Sequence, residues 1–166
     1  MLRQYFKAID DHLYMPLQRA YDAAATYVYG ASELKIIQCL LPQSSAIAQR
    51  VVNQVLCAFP NHQCYSGPLN SSDVRSSSLR DAEMFQTYIW VCLLENNVSI
   101  VQQELFPLCI MLYPTFNVQW QIVRYMLTLL EREFANLLPP DEFAQCASYL
   151  NALKSMFSPD VVDAIA

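Results

Sequence analysis

Residues 72–94 read SDVRSSSLRDAEMFQTYIWVCLL. Leu79, Ala82, Phe85, Ile89 and Cys92 recur three and four positions apart, with Leu93 beside them, which is the spacing of one helix face. Ser72 or Asp73 can open such a helix, because a short polar side chain satisfies an otherwise unpaired backbone N–H of the first turn. Asn96-Asn97 marks its end after Leu94. One long helix that carries a serine-rich first turn and a greasy second half organises everything around it.

The same spacing continues in both directions. Upstream, it predicts helices from about Leu2 to Tyr14, stopped by Pro16, and from about Leu17 to Tyr29, closed at Gly30. A third, about Glu33 to Leu41, takes Ser32 as its cap. Pro42 separates it from a fourth, about Gln43 to Phe59, whose Ile47, Val51, Val55 and Cys57 are expected to line an inner stripe before Pro60. Residues 61–71, rich in Gly, Pro, Ser, Asn and His, are the one substantial loop signal. Downstream, Ser99 opens a helix from about Ile100 to Leu112, closed by Pro114. A long helix follows from about Phe116 to Leu138, with Ile122, Val123, Met126, Leu129 and Leu130 facing inward, and Pro139-Pro140 stops it. Asp141 is expected to cap the last, about Glu142 to Phe157, ahead of a short tail from Pro159. Only two glycines occur in the chain, too few for the turn chemistry of a sheet-rich fold. The expectation is an all-α single domain over residues 1–166, with eight helices and no internal repeat.

Composition excludes several classes of function. The 166 residues are 54% hydrophobic and 15% charged, richer in apolar groups than an average soluble domain, which leaves surface for a partner or a buried ligand to cover. A net charge of −5 opposes attraction to phosphate, so nucleic acid is not an expected partner. No apolar run is long enough to span a bilayer, and the N-terminal residues lack a signal-peptide core. The six cysteines show no metal-ligand or redox spacing, and all but Cys64 lie in apolar helical patterns, as reduced buried thiols would.

Within the organising helix, Ser78-Leu79-Arg80-Asp81 resembles the pigment-attachment string of phycobiliproteins, Cys-Leu-Arg-Asp or Cys-Ile-Arg-Asp, with serine in place of the cysteine. The spacing from Pro60 to Ser78 is that of the allophycocyanin-like members. Tyr29 to Ile37 resembles the family's Ser-Gly-Glu-x-Arg-x-Arg-Ile turn, Gln43 to Ala48 its Asn-Ala-Ala-Ala-Ile-Val stretch, and Leu137 to Glu142 with Ala147 to Leu150 its closing pattern. The resemblance implies a globin-like eight-helix domain with an N-terminal hairpin over residues 1–30, a core over 31–158 and a tail over 159–166. It implies that residues 1–30 dock a phycobiliprotein-type subunit as a homo- or heterodimer, and that the protein is cytoplasmic, at the thylakoid surface where a phycobilisome holds it.

What the resemblance implies for the site is a bilin pocket formed by Arg75, Ser78, Arg80, Asp81, Phe85 and Tyr88. In it the guanidinium of Arg80 pairs with a propionate, Arg75 offers a second such contact, and Asp81 accepts hydrogen bonds from the pyrrole nitrogens. The plain alternative for Arg80 and Asp81 is a pair on a helix surface. Ser78 cannot form the thioether, since a hydroxyl is a far weaker nucleophile than a thiolate. Met84-Phe85 stand where relatives carry Tyr-Tyr, and Trp90-Val91 where they carry Thr-Tyr. Any bilin is therefore expected to be held without a covalent bond, unless Cys64 in the preceding loop substitutes, or to be absent. Haem is excluded because His12 and His62, the two histidines, lie ahead of the region that would supply an axial ligand. No catalytic or metal motif is present, and Asp10-Asp11 and Glu131-Arg132-Glu133 read as solvated faces, so an enzyme is not expected. Two functions follow: a non-enzymatic subunit that binds a bilin non-covalently or associates with the phycobilisome antenna in light harvesting, assembly or regulation, and a pigment-free globin-like interaction or signalling protein.

Overall fold

A computed structural model describes residues 32–64, 67–68 and 72–165. The predicted helices over Leu2 to Tyr14 and Leu17 to Tyr29, with the docking hairpin they would form, lie outside the described residues. The described part is helical but for one small element: α1 (Ser32–Leu40), α2 (Ser44–Ala58), a two-stranded antiparallel pair of β1 (Gln63–Cys64) and β2 (Gly67–Pro68), α3 (Ser72–Glu95), α4 (Phe106–Thr115), α5 (Trp120–Leu137), α6 (Pro140–Met156) and the single turn α7 (Pro159–Val162).

Helix α3 is the centre because its second half has no polar side to leave in water. Every residue from Met84 to Leu94 is buried, which suits a helix enclosed by neighbours rather than one lying on a surface. Helices α1, α2 and α6 pack against it, and α5 closes the bundle against α2 and α6. The inner stripe expected on α5 is observed: Ile122, Val123, Met126, Leu129 and Leu130 are all buried. On α2, Ile47, Val51 and Val55 face the core, but Cys57 is exposed. It stands two positions beyond Val55, roughly 200° around the helix at 3.6 residues per turn, so it shares no face with the stripe.

Helix ends follow backbone chemistry more closely than side-chain caps. Asn96 has φ 49°, and the N–H of Asn97 bonds back to the Cys92 carbonyl at 3.1 Å, a left-handed ending that an asparagine tolerates. Asn117, at φ 57°, ends α4 in the same way, with the Val118 N–H on the Tyr113 carbonyl at 2.8 Å. Expected caps fail in two places. Ser32 is already helical, and its hydroxyl reaches Gln145 of α6 at 3.2 Å. Pro139, not Asp141, precedes α6, whose first residue is Pro140; proline suits that position because the N–H it lacks would be unpaired there.

Pro42 bends the chain without breaking it, through a single 3₁₀ turn, Leu41–Gln43, between α1 and α2. The segment before α4 winds as a π-helix over Val101–Leu105, and Phe106 donates its N–H to the Val101 carbonyl five residues back. This wider turn accommodates Pro107, whose ring would crowd the carbonyl four residues earlier in a regular helix. Pro114 lies inside the last turn of α4 rather than ending it.

Between α2 and α5 the charges are paired. Arg50 Nε donates to Glu133 at 2.7 Å, and Arg132 meets Gln54. Glu133 is thus a buried, paired carboxylate and not the solvated residue its sequence neighbours suggested. Lys154 bonds Glu131 at 2.6 Å between α5 and α6.

Candidate functional site

The first turns of α3 bring Val74, Ser77, Ser78, Asp81 and Phe85 to one face, because steps of three and four residues return to the same side of a helix. That face and Arg80 border a cavity of about 70 Å³. Tyr113 of α4, Phe116 and Val118 of the α4–α5 connection, and Ile122 and Met126 of α5 close it from the far side. Cys64 of β1 borders it as well, held in place by Asn117, whose side-chain amide donates to the Gln63 carbonyl at 2.9 Å. The walls are mostly apolar, and Asp81 supplies the carboxylate.

The expected site residues divide into two groups. Ser78, Arg80, Asp81, Phe85 and Cys64 border the cavity together. Arg75 does not; its guanidinium donates to Asn53 of α2 at 2.5 Å. Six positions before Asp81, it is rotated by roughly 120° from that face. Tyr88 shares the face of Asp81 but lies seven residues further along, roughly 10 Å at 1.5 Å per residue, and is wholly buried beyond the cavity in the core. Met84 and Trp90 are core residues too, each 2% exposed.

Ser78 is not a free hydroxyl. It donates to the Val74 carbonyl at 2.8 Å, as Ser77 does to Asp73 at 3.0 Å, the back-bonding of serines within a helix.

Asp81 is the electrostatic centre. Burial pushes its carboxyl from 3.8 up to about 6, against the lowering effects of the Arg80 charge and of a hydrogen bond from Tyr113. Asp81 is partly buried and borders the cavity, which sets it apart from a fully solvated surface carboxylate. Burial pushes the Tyr113 hydroxyl well above its usual value, and the charge of Asp81 and the neighbouring Cys109 thiol add to the rise. Cys64 and Cys109 are raised as well, first by burial and then by Asp81, so both stay protonated thiols near neutral pH.

Tyr113 escaped the sequence reading. Its one signal was its place four residues after Cys109, on the same helix face, in a stretch whose greasiness read as core. Its ring lies 5.8 Å from Trp120, which stacks on Phe157 at 5.9 Å, and Phe157 meets the cavity wall at Phe85 at 6.1 Å.

A family model described as phycobilisome protein matches residues 4–156. The chain belongs to the phycobilisome protein family. A search of curated proteins finds no match. Phycobiliproteins are light-harvesting, non-enzymatic proteins that oligomerise with other subunits and normally bind a bilin. Among the described residues, no helix is long and apolar enough to cross a membrane, and no cluster of ligating side chains could hold a metal ion.

Whether the site fits a bilin divides on chemistry and size. A desolvated carboxylate and a guanidinium beside apolar walls suit pyrrole N–H groups and a propionate. The enclosed volume of about 70 Å³ is smaller than the roughly 300–1,000 Å³ of pockets for molecules of that size, and the cavity is partly open to solvent. The chemistry of the bordering residues suits the pigment, while the enclosed volume is smaller than the pigment.

Proposed function

We propose that this phycobilisome protein is a non-enzymatic antenna subunit that works through association with other subunits, in assembly or regulation, and carries no bilin. The observation that carries the reading is the cavity of about 70 Å³ at the position where relatives seat a pigment. The serine at residue 78, with its hydroxyl bonded to Val74, supports it by removing the usual covalent anchor. Cys64 borders the same cavity, but burial and the Asp81 charge keep it a thiol, which disfavours it as a replacement anchor. Docking would use residues 1–30 against a phycobiliprotein-type subunit, since apolar groups such as Phe6, Ile9, Leu13 and Leu17 exceed what one small domain covers.

A second reading, reversible non-covalent binding after the cavity widens, draws support from Asp81, a carboxylate kept beside the cavity where it is poorly hydrated. One titration separates the two. Purified full-length protein mixed with biliverdin or phycocyanobilin should give no saturable visible band and no induced circular dichroism; such a band would establish the second reading. Acid-urea denaturation and mass spectrometry should then find an unmodified chain, and a bilin adduct would point to Cys64. Light scattering at high concentration should give a mass above that of the 19.0 kDa chain, or do so once an allophycocyanin-type subunit is added. A monomer under both conditions would contradict the docking part.

A further inference from the structure

One aromatic side chain on the far wall of the cavity carries a polar tip. Tyr113 is 7% exposed, borders the cavity from α4 and is wedged by its ring against Trp120. It borders the same cavity as Asp81 and stands one turn after Cys109, close enough to both for the three groups to affect one another's titration. It therefore takes up space on the side of the cavity from which an incoming N–H would approach the carboxylate.

We propose that Tyr113 is the specificity-determining residue of this site: a built-in phenol that plugs the pocket, offers Asp81 the ring-borne donor a ligand would otherwise bring, and restricts occupants to water-sized molecules. The inference rests on the reading that the site carries no bilin. It also defines the ligand class that the unplugged site takes, a planar ring with a single O–H or N–H donor. Without the phenol, the space approaches the roughly 150 Å³ at which an apolar cavity admits a benzene-sized ring. The donor then selects among rings, because a hydrogen bond to a charged acceptor is stronger than one between neutral groups.

Tyr113→Ala tests the plug, with p-cresol and toluene as probes in thermal-shift and calorimetric titrations. The variant should bind p-cresol saturably, about tenfold more tightly than toluene, and wild type should bind neither. Adding Asp81→Asn should shrink the preference. Tyr113→Phe keeps the ring and deletes only the hydroxyl, so it should still exclude p-cresol. It should also move the Asp81 titration, followed by carbon NMR of labelled aspartate, to higher pH. Arg80, Cys64 and Cys109, the other titratable groups around Asp81, are unchanged in that variant. A folded Tyr113→Ala that binds neither probe, or both equally, overturns the proposal. Should that variant not fold, the Phe variant decides: an upward shift supports the assignment, and an unmoved Asp81 titration overturns it. A bilin band from wild-type protein would instead overturn the reading beneath it, whatever the variants do.

Discussion

Replacing Asp81 by asparagine should make this protein more stable at neutral pH, and the gain should disappear in acid. The carboxyl rises from 3.8 to about 6 on folding, so the folded chain holds that proton more tightly than the unfolded chain does. Stability rises with pH only where the unfolded state binds more protons; here the folded state binds more, so the Asp81 contribution falls as pH increases from about 4 to 6. Below that window it costs nothing, and above it the cost is complete. A difference of about two pH units corresponds to about 3 kcal/mol, an upper value for a group of which part remains accessible. Asparagine is close in shape and keeps an oxygen for the Tyr113 hydroxyl, but the bond loses its charge, which returns about 1 kcal/mol. The expected net gain for Asp81→Asn is about 1–2 kcal/mol at pH 8 and about zero at pH 4. Urea denaturation followed by far-UV circular dichroism at pH 4, 6 and 8 measures it. A variant less stable than wild type at pH 8, or a difference that does not change with pH, would refute the burial argument.

Two further outcomes follow from the thiols and the buried ion pair. Iodoacetamide on native protein, read by peptide mass spectrometry, should modify Cys57 first among the described cysteines and Cys64 slowly, and leave Cys92, Cys109 and Cys146 unmodified until unfolding, because those three are buried. Rapid labelling of Cys64 would mean that the cavity stands open. Arg50→Ala strands the Glu133 carboxylate, 8% exposed, and should cost about 1–3 kcal/mol in urea denaturation. Adding Glu133→Gln should recover most of that loss, and equal losses in the single and double variants would show the pair to be inconsequential.

The helices were legible because their signals are local. Apolar spacing located α3 and α5 and their inward faces, and the Asn96-Asn97 pair marked the end of α3, where Asn96 adopts the left-handed backbone that asparagine tolerates; Asn117, which ends α4 in the same way, had been read as part of the next helix. The π turn before α4 was not legible. Pro107 hinted at a disturbance, but spacing does not say whether a proline ends a helix or widens one of its turns. The β1–β2 pair was hidden for a related reason: two-residue strands carry no alternation to read. Cys57 was misassigned by hydrophobicity alone, although its angle from Val55 was already fixed by the sequence.

At the site, what could be read was the α3 face, and what could not was everything that meets it. Ser78, Asp81 and Phe85 share one helix and therefore one periodicity, so their common orientation follows from numbering. Tyr113, Ile122 and Met126 come from two other helices, and their distance from Asp81 is set by how those helices cross it. Cavity size belongs to the same class, since it is the small difference between large packed volumes. A motif that resembles a pigment site consequently does not fix the size of the space that it borders. Tyr113, which borders the cavity, sits in the greasy stretch that sequence logic assigns to the core. Its burial satisfies that logic, while its place on the cavity wall opposite Asp81 brings it to the candidate site.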